Sequence, residues 1–164
     1  MTDQFDFATE YAPAPESTDH IRIENQYSLF INGEFVKPKR GKYFSTHNPA
    51  TGEKLSEVAE ADAADVDKAV KAARTAYDST WSKMLPKERG KYIFRISRML
   101  QERSREFAVI ETMDGGKPIR ESRDVDIPLA SAHFFYYAGW ADKLEYAFPG
   151  RKAKPLGVAG QIIP

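Results

Sequence analysis

Residues 155–164 read PLGVAGQIIP, an apolar run interrupted by Gly157 and Gly160. A glycine weakens a strand unless another group has to approach the backbone closely. We therefore predict a buried strand over residues 156–163 whose carboxyl end lies at Pro164. In open α/β sheets, ligands bind beyond the carboxyl ends of parallel strands, so this end is a candidate ligand-facing position. The GVAG spacing is not the Gly-x-Gly-x-x-Gly fingerprint, so it does not by itself specify a dinucleotide.

Helical periodicity covers most of the chain before this strand. Asp62 is a candidate N-cap for the first helix, and Pro86 suits the first turn of a second one. Gly115 and Gly116 end the pattern. Because Pro128 would break a helix interior, we predict that Asp126 caps a fresh helix with Pro128 in its first turn. The predicted apolar faces contain Val66, Val70, Ala73, Tyr77, Ile93, Ile96, Leu100, Phe107, Ile110, Met113, Leu129, Phe134, Tyr137, Trp140 and Leu144.

Strand signals precede the helices. YSLFINGEFV (residues 27–36) has two apolar runs around Asn32-Gly33, the pair that best fits a type I′ hairpin turn. KLSEVAE (residues 54–60) predicts a further short strand. These strands are too few and too short to cover the helical faces. The sequence therefore predicts an α/β protein in which the chain forms part of a larger layered structure.

The first 26 residues are predicted to be a disordered acidic tail. They contain APAP and six acidic residues against one basic residue, Arg22, a composition that cannot build a core. Phe5, Phe7 and Tyr11 leave docking onto a partner surface as the alternative.

Composition excludes several kinds of function. The 164 residues carry 24 basic and 24 acidic side chains, so there is no electrostatic footprint for nucleic acid. With no cysteine, the chain has no disulfide and no thiol nucleophile. The three histidines are far apart and are interpreted as surface or packing residues. No apolar run reaches membrane-spanning length, and the N-terminus does not resemble a secretory signal, so a cytoplasmic location is expected.

Two further clusters have competing interpretations. The aromatic residues between Phe134 and Trp140 could stack on bases, but their helical spacing favours a core face. KPKRGKYF (residues 37–44) could contact nucleic acid, but a solvated basic loop between strands is favoured.

Several segments together resemble the beginning of NAD(P)-dependent aldehyde dehydrogenases. LFINGEFV, NPATGE, DVDKAVKAARTAY, DGGKP, FFYYAGWADK and PLGVAGQIIP occur here in the order found in that family. The resemblance covers residues 27–164 but only about the first third of such an enzyme. It implies an incomplete N-terminal part of an aldehyde dehydrogenase-like fold: a β-hairpin, helices and the first strand of a dinucleotide-binding sheet. Residues 1–26 would precede this portion of the dinucleotide-binding domain.

The resemblance also implies which residues belong to sites. The family's catalytic cysteine and glutamate come later than position 164, so no catalytic residue is assigned. Ile162, Ile163 and Pro164 match positions that line the NAD(P) site. Thr46, His47 and Asp126 match positions that bind a monovalent cation in some members, His47 through its backbone carbonyl. For Asp126, a role as a simple helix cap is the alternative.

The function implied is that of an N-terminal fragment whose parent enzyme oxidises an aldehyde to a carboxylic acid. The parent would use NAD or NADP and form a homo-oligomer, whereas neither cofactor is expected to bind tightly to this chain alone. Its expected partners are the rest of the subunit or full-length subunits, with no nucleic acid and no membrane. The alternative is a non-enzymatic, truncated helical module that associates with full-length subunits. Two departures from the family are Gly115, where asparagine is common, and the short stretch LEYAFPGRKAK (residues 144–154), which leaves the oligomeric state open.

Overall fold

The computed structural model describes residues 17–155 and 157–163. The described residues form short strands followed by helices. The strands are β1 (Gln26–Tyr27), β2 (Leu29–Ile31), β3 (Glu34–Val36), β4 (Tyr43–His47) and β5 (Lys54–Ala59). The helices are α1 (Ala63–Ser79), α2 (Pro86–Glu102), α3 (Ser104–Gly115), α4 (Ile119–Glu121), α5 (Ile127–Trp140) and α6 (Leu144–Ala147), with a 3-10 turn at Trp81–Lys83 and a π-helical turn at Ser122–Asp126. The prediction of a mixed α/β class is confirmed.

The predicted hairpin is present as the antiparallel pair β2–β3. Asn32 and Gly33 both have positive φ, 58° and 85°, as a type I′ turn requires. Phe30 and Phe35 lie opposite each other, with ring centroids 5.1 Å apart. The turn chemistry therefore sets the register of this hairpin from local sequence alone.

The second sheet has the order β1-β5-β4, with β5 antiparallel to β4 and parallel to β1. The buried Ser56 hydroxyl donates to the Glu24 carbonyl at 2.7 Å, and the Glu57 N–H donates to the Asn25 carbonyl at 3.0 Å. The predicted boundary between residues 26 and 27 therefore falls within a paired segment. The rest of the predicted tail, residues 1–16, lies outside the described residues.

Helix α1 begins with the predicted cap. The Asp62 carboxylate accepts from the N–H groups of Ala64 at 2.9 Å and Asp65 at 3.1 Å. The Asp65 carboxylate in turn accepts a hydrogen bond from the Asp62 N–H at 3.2 Å, and the two interactions form a capping box. The buried Asp65 carboxylate also accepts the Lys39 N–H, at 3.1 and 3.2 Å to its two oxygens, and Asp62 pairs with Arg40 at 3.2 Å. The basic segment connects β3 to β4, and these contacts, which were not predicted from the sequence, hold it against the start of α1.

This cap makes the stability of α1 dependent on pH. The N–H of Asp65, followed by that of Ala64 and the charge of Arg40, holds the pKa of the Asp62 carboxyl below its ordinary value of 3.8. Because the folded-state pKa is the lower one, the stabilisation is present above the unfolded pKa and is lost as pH falls through the folded value. We expect the urea concentration at the unfolding midpoint to decrease as the pH is lowered from about 5 to about 3. The decrease should be less steep in Asp62→Asn. Parallel profiles for the two proteins would contradict this.

Helices α2 and α5 pack closely through small residues. Ser97 and Ser131 are 0% and 2% exposed, and each hydroxyl bonds the carbonyl of the other residue, at 2.9 and 3.1 Å. At Gly90, an added Cβ would lie 2.9 Å from the Ala138 carbonyl oxygen. The two backbones can approach this far only because these positions carry small side chains.

Helix α3 stops at Gly116, as predicted. Gly116 has a φ of 72°, and its N–H bonds the Thr112 carbonyl at 3.0 Å. An added Cβ on Gly116 would lie 2.6 Å from the Pro49 ring, so glycine is needed here for space as well as for φ. This contact joins the end of α3 to the turn between β4 and β5.

The prediction that Asp126 caps α5 is wrong. Asp126 has helical angles, φ −66° and ψ −52°, and its side chain makes no capping bond. The chain instead runs from α4 into α5 through the π-helical turn, in which the Ile127 N–H bonds the Ser122 carbonyl. Pro128 does lie in the first turn of α5, as expected. The wider turn accommodates a residue that lacks an N–H without interrupting the helical path.

The predicted C-terminal strand is not formed: residues 157–163 have no strand structure, and Leu156 and Pro164 lie outside the described residues. A strand needs a hydrogen-bonded neighbour. The two described sheets contain only the five strands that precede the helices, and none of these pairs with residues 157–163.

The predicted core face of α5 is also largely uncovered, with Phe134 and Tyr137 exposed at 40% and 61%. No described strand covers this face, as the shortage of strands in the sequence predicted.

Candidate functional site

The residues assigned to the cofactor lie at the end of the described chain. Ile162 and Ile163 are 99% and 81% exposed, and Pro164 lies outside the described residues. Gly157 runs so close to α1 that an added Cβ would lie 2.9 Å from the Arg74 guanidinium. Val158 lies in the same groove on α1, beside Val70.

The two isoleucines do not by themselves enclose a dinucleotide. Their exposure means that few atoms of the described chain pack around them, so a cofactor would meet this chain on one side only. They can supply one apolar wall, and the polar contacts that fix the orientation of a ligand would have to come from elsewhere.

The predicted cation ligands Thr46 and His47 are adjacent in β4, where a register shift separates them. Thr46 is half-buried and lines an apolar cavity of about 200 Å³ between the sheet and α3, whereas His47 is exposed. The other lining residues are Ile23, Tyr27, Leu55, Ser56, Val58, Ile110 and Asp114. Asp126 is not among them, so the cavity does not unite the three predicted ligands.

Asp126 instead forms an ion pair with Lys117. The Lys117 ammonium donates to the Asp126 carboxylate and lies 3.9 Å from the Glu111 carboxylate. The hydrogen bond to Asp126 raises the pKa of Lys117 above its ordinary value, and the charges of Glu111 and Glu121 add to the effect. Among the described residues, no group of three or more histidine, cysteine, aspartate or glutamate side chains could hold a metal ion.

Sequence reasoning missed Lys117 as a partner of Asp126. The two residues are nine positions apart, with Lys117 in the connection between α3 and α4 and Asp126 in the π-helical turn, so no i,i+3 or i,i+4 spacing signals the contact. The described part of the chain also contains no helix with the length and apolar character needed to cross a membrane.

Comparisons with known proteins agree on one family. The aldehyde dehydrogenase family profile matches residues 35–164. The mitochondrial aldehyde dehydrogenase family 2 member B4 of Arabidopsis thaliana is 42% identical over 167 residues, which cover 96% of this chain. Human retinal dehydrogenase 2 is 39% identical and covers 92% of it. The chain spans 31% of the length of each of these relatives.

A solved structure gives the same result. An NAD+ complex of an aldehyde dehydrogenase from Bacillus cereus superposes with a TM-score of 0.72 at 41% identity, covering 74% of this chain and 25% of that one. The profile match extends over most of the chain, and the structural match has the same N-terminal location. The chain therefore belongs to the aldehyde dehydrogenase family and corresponds to the N-terminal part of its members.

Proposed function

We propose that this chain is the N-terminal part of an NAD(P)-dependent aldehyde dehydrogenase that oxidises an aldehyde to a carboxylic acid. The observation that carries the proposal is the family match over residues 35–164. The Bacillus cereus relative, which is 41% identical, was solved with NAD+, which supports the choice of cofactor class.

The role of this part would be structural support for the cofactor site. Helices α2 and α5 share an exposed apolar face around Phe94 and Phe135, whose rings lie 5.6 Å apart. Such a face is stabilised when a sheet covers it, and a dinucleotide-binding sheet is the expected cover. Ile162, Ile163 and Pro164 would then line one wall of the cofactor pocket.

The chemistry itself would depend on residues outside these 164. In the proposed reaction, a cysteine thiolate would add to the aldehyde carbon to give a thiohemiacetal, loss of hydride from that carbon would give a thioester, and water would hydrolyse the thioester to the acid and the free thiol. When bound, the nicotinamide cofactor supplies the hydride acceptor. Because the chain contains no cysteine, it cannot form the covalent intermediate alone. The substrate, the choice between NAD and NADP, and the partner subunits would be set by the rest of the parent enzyme.

We therefore expect the purified 164-residue chain to produce no NADH or NADPH from aldehydes and to show no calorimetric binding of either cofactor. The full-length Bacillus cereus enzyme, assayed in parallel, is the positive control. Aldehyde oxidation by the pure chain would contradict the proposal that the catalytic residues lie outside these 164 residues.

A chimera tests the same proposal in the opposite direction. Residues 35–164 replace the matching segment of the Bacillus cereus enzyme, and we expect the chimera to retain NAD-dependent aldehyde oxidation. A chimera that melts cooperatively and binds NAD+ but oxidises no aldehyde would count against the proposed role. If the isolated chain instead co-purifies with the unaltered full-length enzyme and changes its oligomeric state, the alternative of an associating helical module is favoured.

A further inference from the structure

We propose that the ammonium group of Lys117 serves as a built-in monovalent cation for Asp126, so that the positions Thr46, His47 and Asp126 take no inorganic ion in this protein. The inference concerns charge compensation at the junction of the sheet with α3 and does not depend on the proposed enzymatic role.

The first support is direct contact. The Lys117 ammonium donates a hydrogen bond to Oδ2 of Asp126, the single carboxylate among the three predicted ligands. Asp126 is half-buried, with 34% of its side chain exposed. Since this carboxylate would carry the full negative charge of a cation site, its pairing with Lys117 already neutralises that site.

The second support is the placement of Lys117 by the backbone. Gly116 turns the chain with a positive φ while packed against Pro49, which lies two residues beyond His47. Lys117 therefore leaves α3 next to the end of β4. Asp126 is the last residue of the π-helical turn, and its carboxylate meets Lys117 from that side. The ammonium thus lies against Asp126, one residue after the glycine that packs on the turn following β4.

The third support is the balance of charge. The Lys117 ammonium lies 3.9 Å from the Glu111 carboxylate as well as against Asp126, so one cation is shared by two carboxylates. A tethered ammonium is present at an effective concentration of order mM or higher and loses no translational entropy on binding, so a free ion of the same charge competes poorly.

The test compares thermal unfolding of the full 164-residue chain in sodium, potassium and tetramethylammonium chloride, each at about 0.1 M so that screening is equal. Tetramethylammonium is too large to enter an oxygen site. The variants are Lys117→Met, Lys117→Met combined with Asp126→Asn, and Lys54→Met. The last variant removes a lysine from another exposed pair, with Glu57 at 2.9 Å, and is the matched control.

We expect the wild type and Lys54→Met to unfold at the same temperature in all three salts. Lys117→Met should unfold about 3 °C higher in sodium or potassium than in tetramethylammonium, because the vacated carboxylate now accepts the ion. The double variant should lose that shift. The proposal is overturned if the wild type is stabilised by sodium or potassium, or if Lys117→Met responds equally to all three salts.

A second measurement applies even if Lys117→Met fails to fold. Sodium-23 NMR line broadening is compared between the wild type and Asp126→Asn at equal protein concentration. Equal broadening supports the proposal, whereas excess broadening by the wild type shows a bound sodium ion and overturns it.

Discussion

Replacing Gly90 with alanine is expected to lower the free energy of unfolding by about 1–3 kcal/mol, although alanine is the better helix former by about 1 kcal/mol. The added methyl carbon would lie 2.9 Å from the Ala138 carbonyl oxygen and 3.4 Å from the Ala141 Cβ. The first neighbour is backbone, so α5 as a whole must move. That movement would also lengthen the hydrogen bonds between Ser97 and Ser131, which are buried and have no water to replace them.

Gly139→Ala is the matched control for this prediction. Gly139 lies in α5 next to Ala138 but has no atom within 4 Å of an added Cβ. The same substitution there should therefore raise stability by about 0.5–1 kcal/mol, the usual gain of alanine over glycine in a helix. Urea denaturation followed by circular dichroism measures both variants. If both shift the midpoint in the same direction, the close approach of α2 and α5 is not a determinant of stability.

Replacing Asp65 with alanine is expected to cost about 2–4 kcal/mol. Its buried carboxylate accepts the N–H groups of Lys39 and Asp62, so its loss leaves both donors without this partner and removes half of the capping box. The basic loop before β4 and the start of α1 would loosen together. Urea denaturation gives the stability, and hydrogen exchange at the Lys39 amide reports the local effect.

Two variants bracket the Asp65 prediction. Asp65→Asn keeps one acceptor oxygen and should lose about half as much stability, since a neutral acceptor forms the weaker bond. Asp67→Ala alters an exposed carboxylate on the same helix and should stay within about 0.5 kcal/mol of the wild type. An Asp65→Ala variant as stable as Asp67→Ala would mean that the loop and helix are not coupled through this carboxylate.

Features that depend on neighbouring residues could be predicted from the sequence. Asn32-Gly33 specifies its turn because both residues tolerate positive φ, and Asp62 specifies a helix start because its oxygen reaches the first free N–H groups. Gly116 marks the end of α3 for the same local reason. Each signal lies within a few residues of its effect.

Features that depend on distant residues could not be predicted. Asp126 is a residue type that commonly caps helices, but the π-helical turn gives it helical backbone angles. Its carboxylate accepts a hydrogen bond from Lys117 instead of from a backbone N–H. The parallel pairing of β1 with β5 joins residues that are 31 positions apart. The run from Gly157 to Ile163 has the composition of a strand, but composition does not supply the neighbour that a strand must bond.

For the candidate sites, the sequence predicted only which positions match those of the family. The order of those motifs indicated the family, and the comparisons confirm it. The positions of Ile162, Ile163, Thr46 and His47 follow from that resemblance, and their roles stay predictions. No motif encodes how Asp126 is neutralised, since that depends on where the turn at Gly116 directs Lys117.

The wide separation of β1 from β5 has a consequence for the order of events on the ribosome. Gln26 leaves the exit tunnel well before Glu57, so the hairpin β2–β3, which needs only its own turn, can form while β1 still lacks its partner. Helix α2 likewise cannot pack against α5 until 34 more residues have been synthesised, the separation of Ser97 from Ser131. We expect nascent chains in which β5 has left the tunnel to have a protected N-terminal sheet. In longer chains that contain α2 but not yet α5, we expect α2 to remain accessible to chaperones.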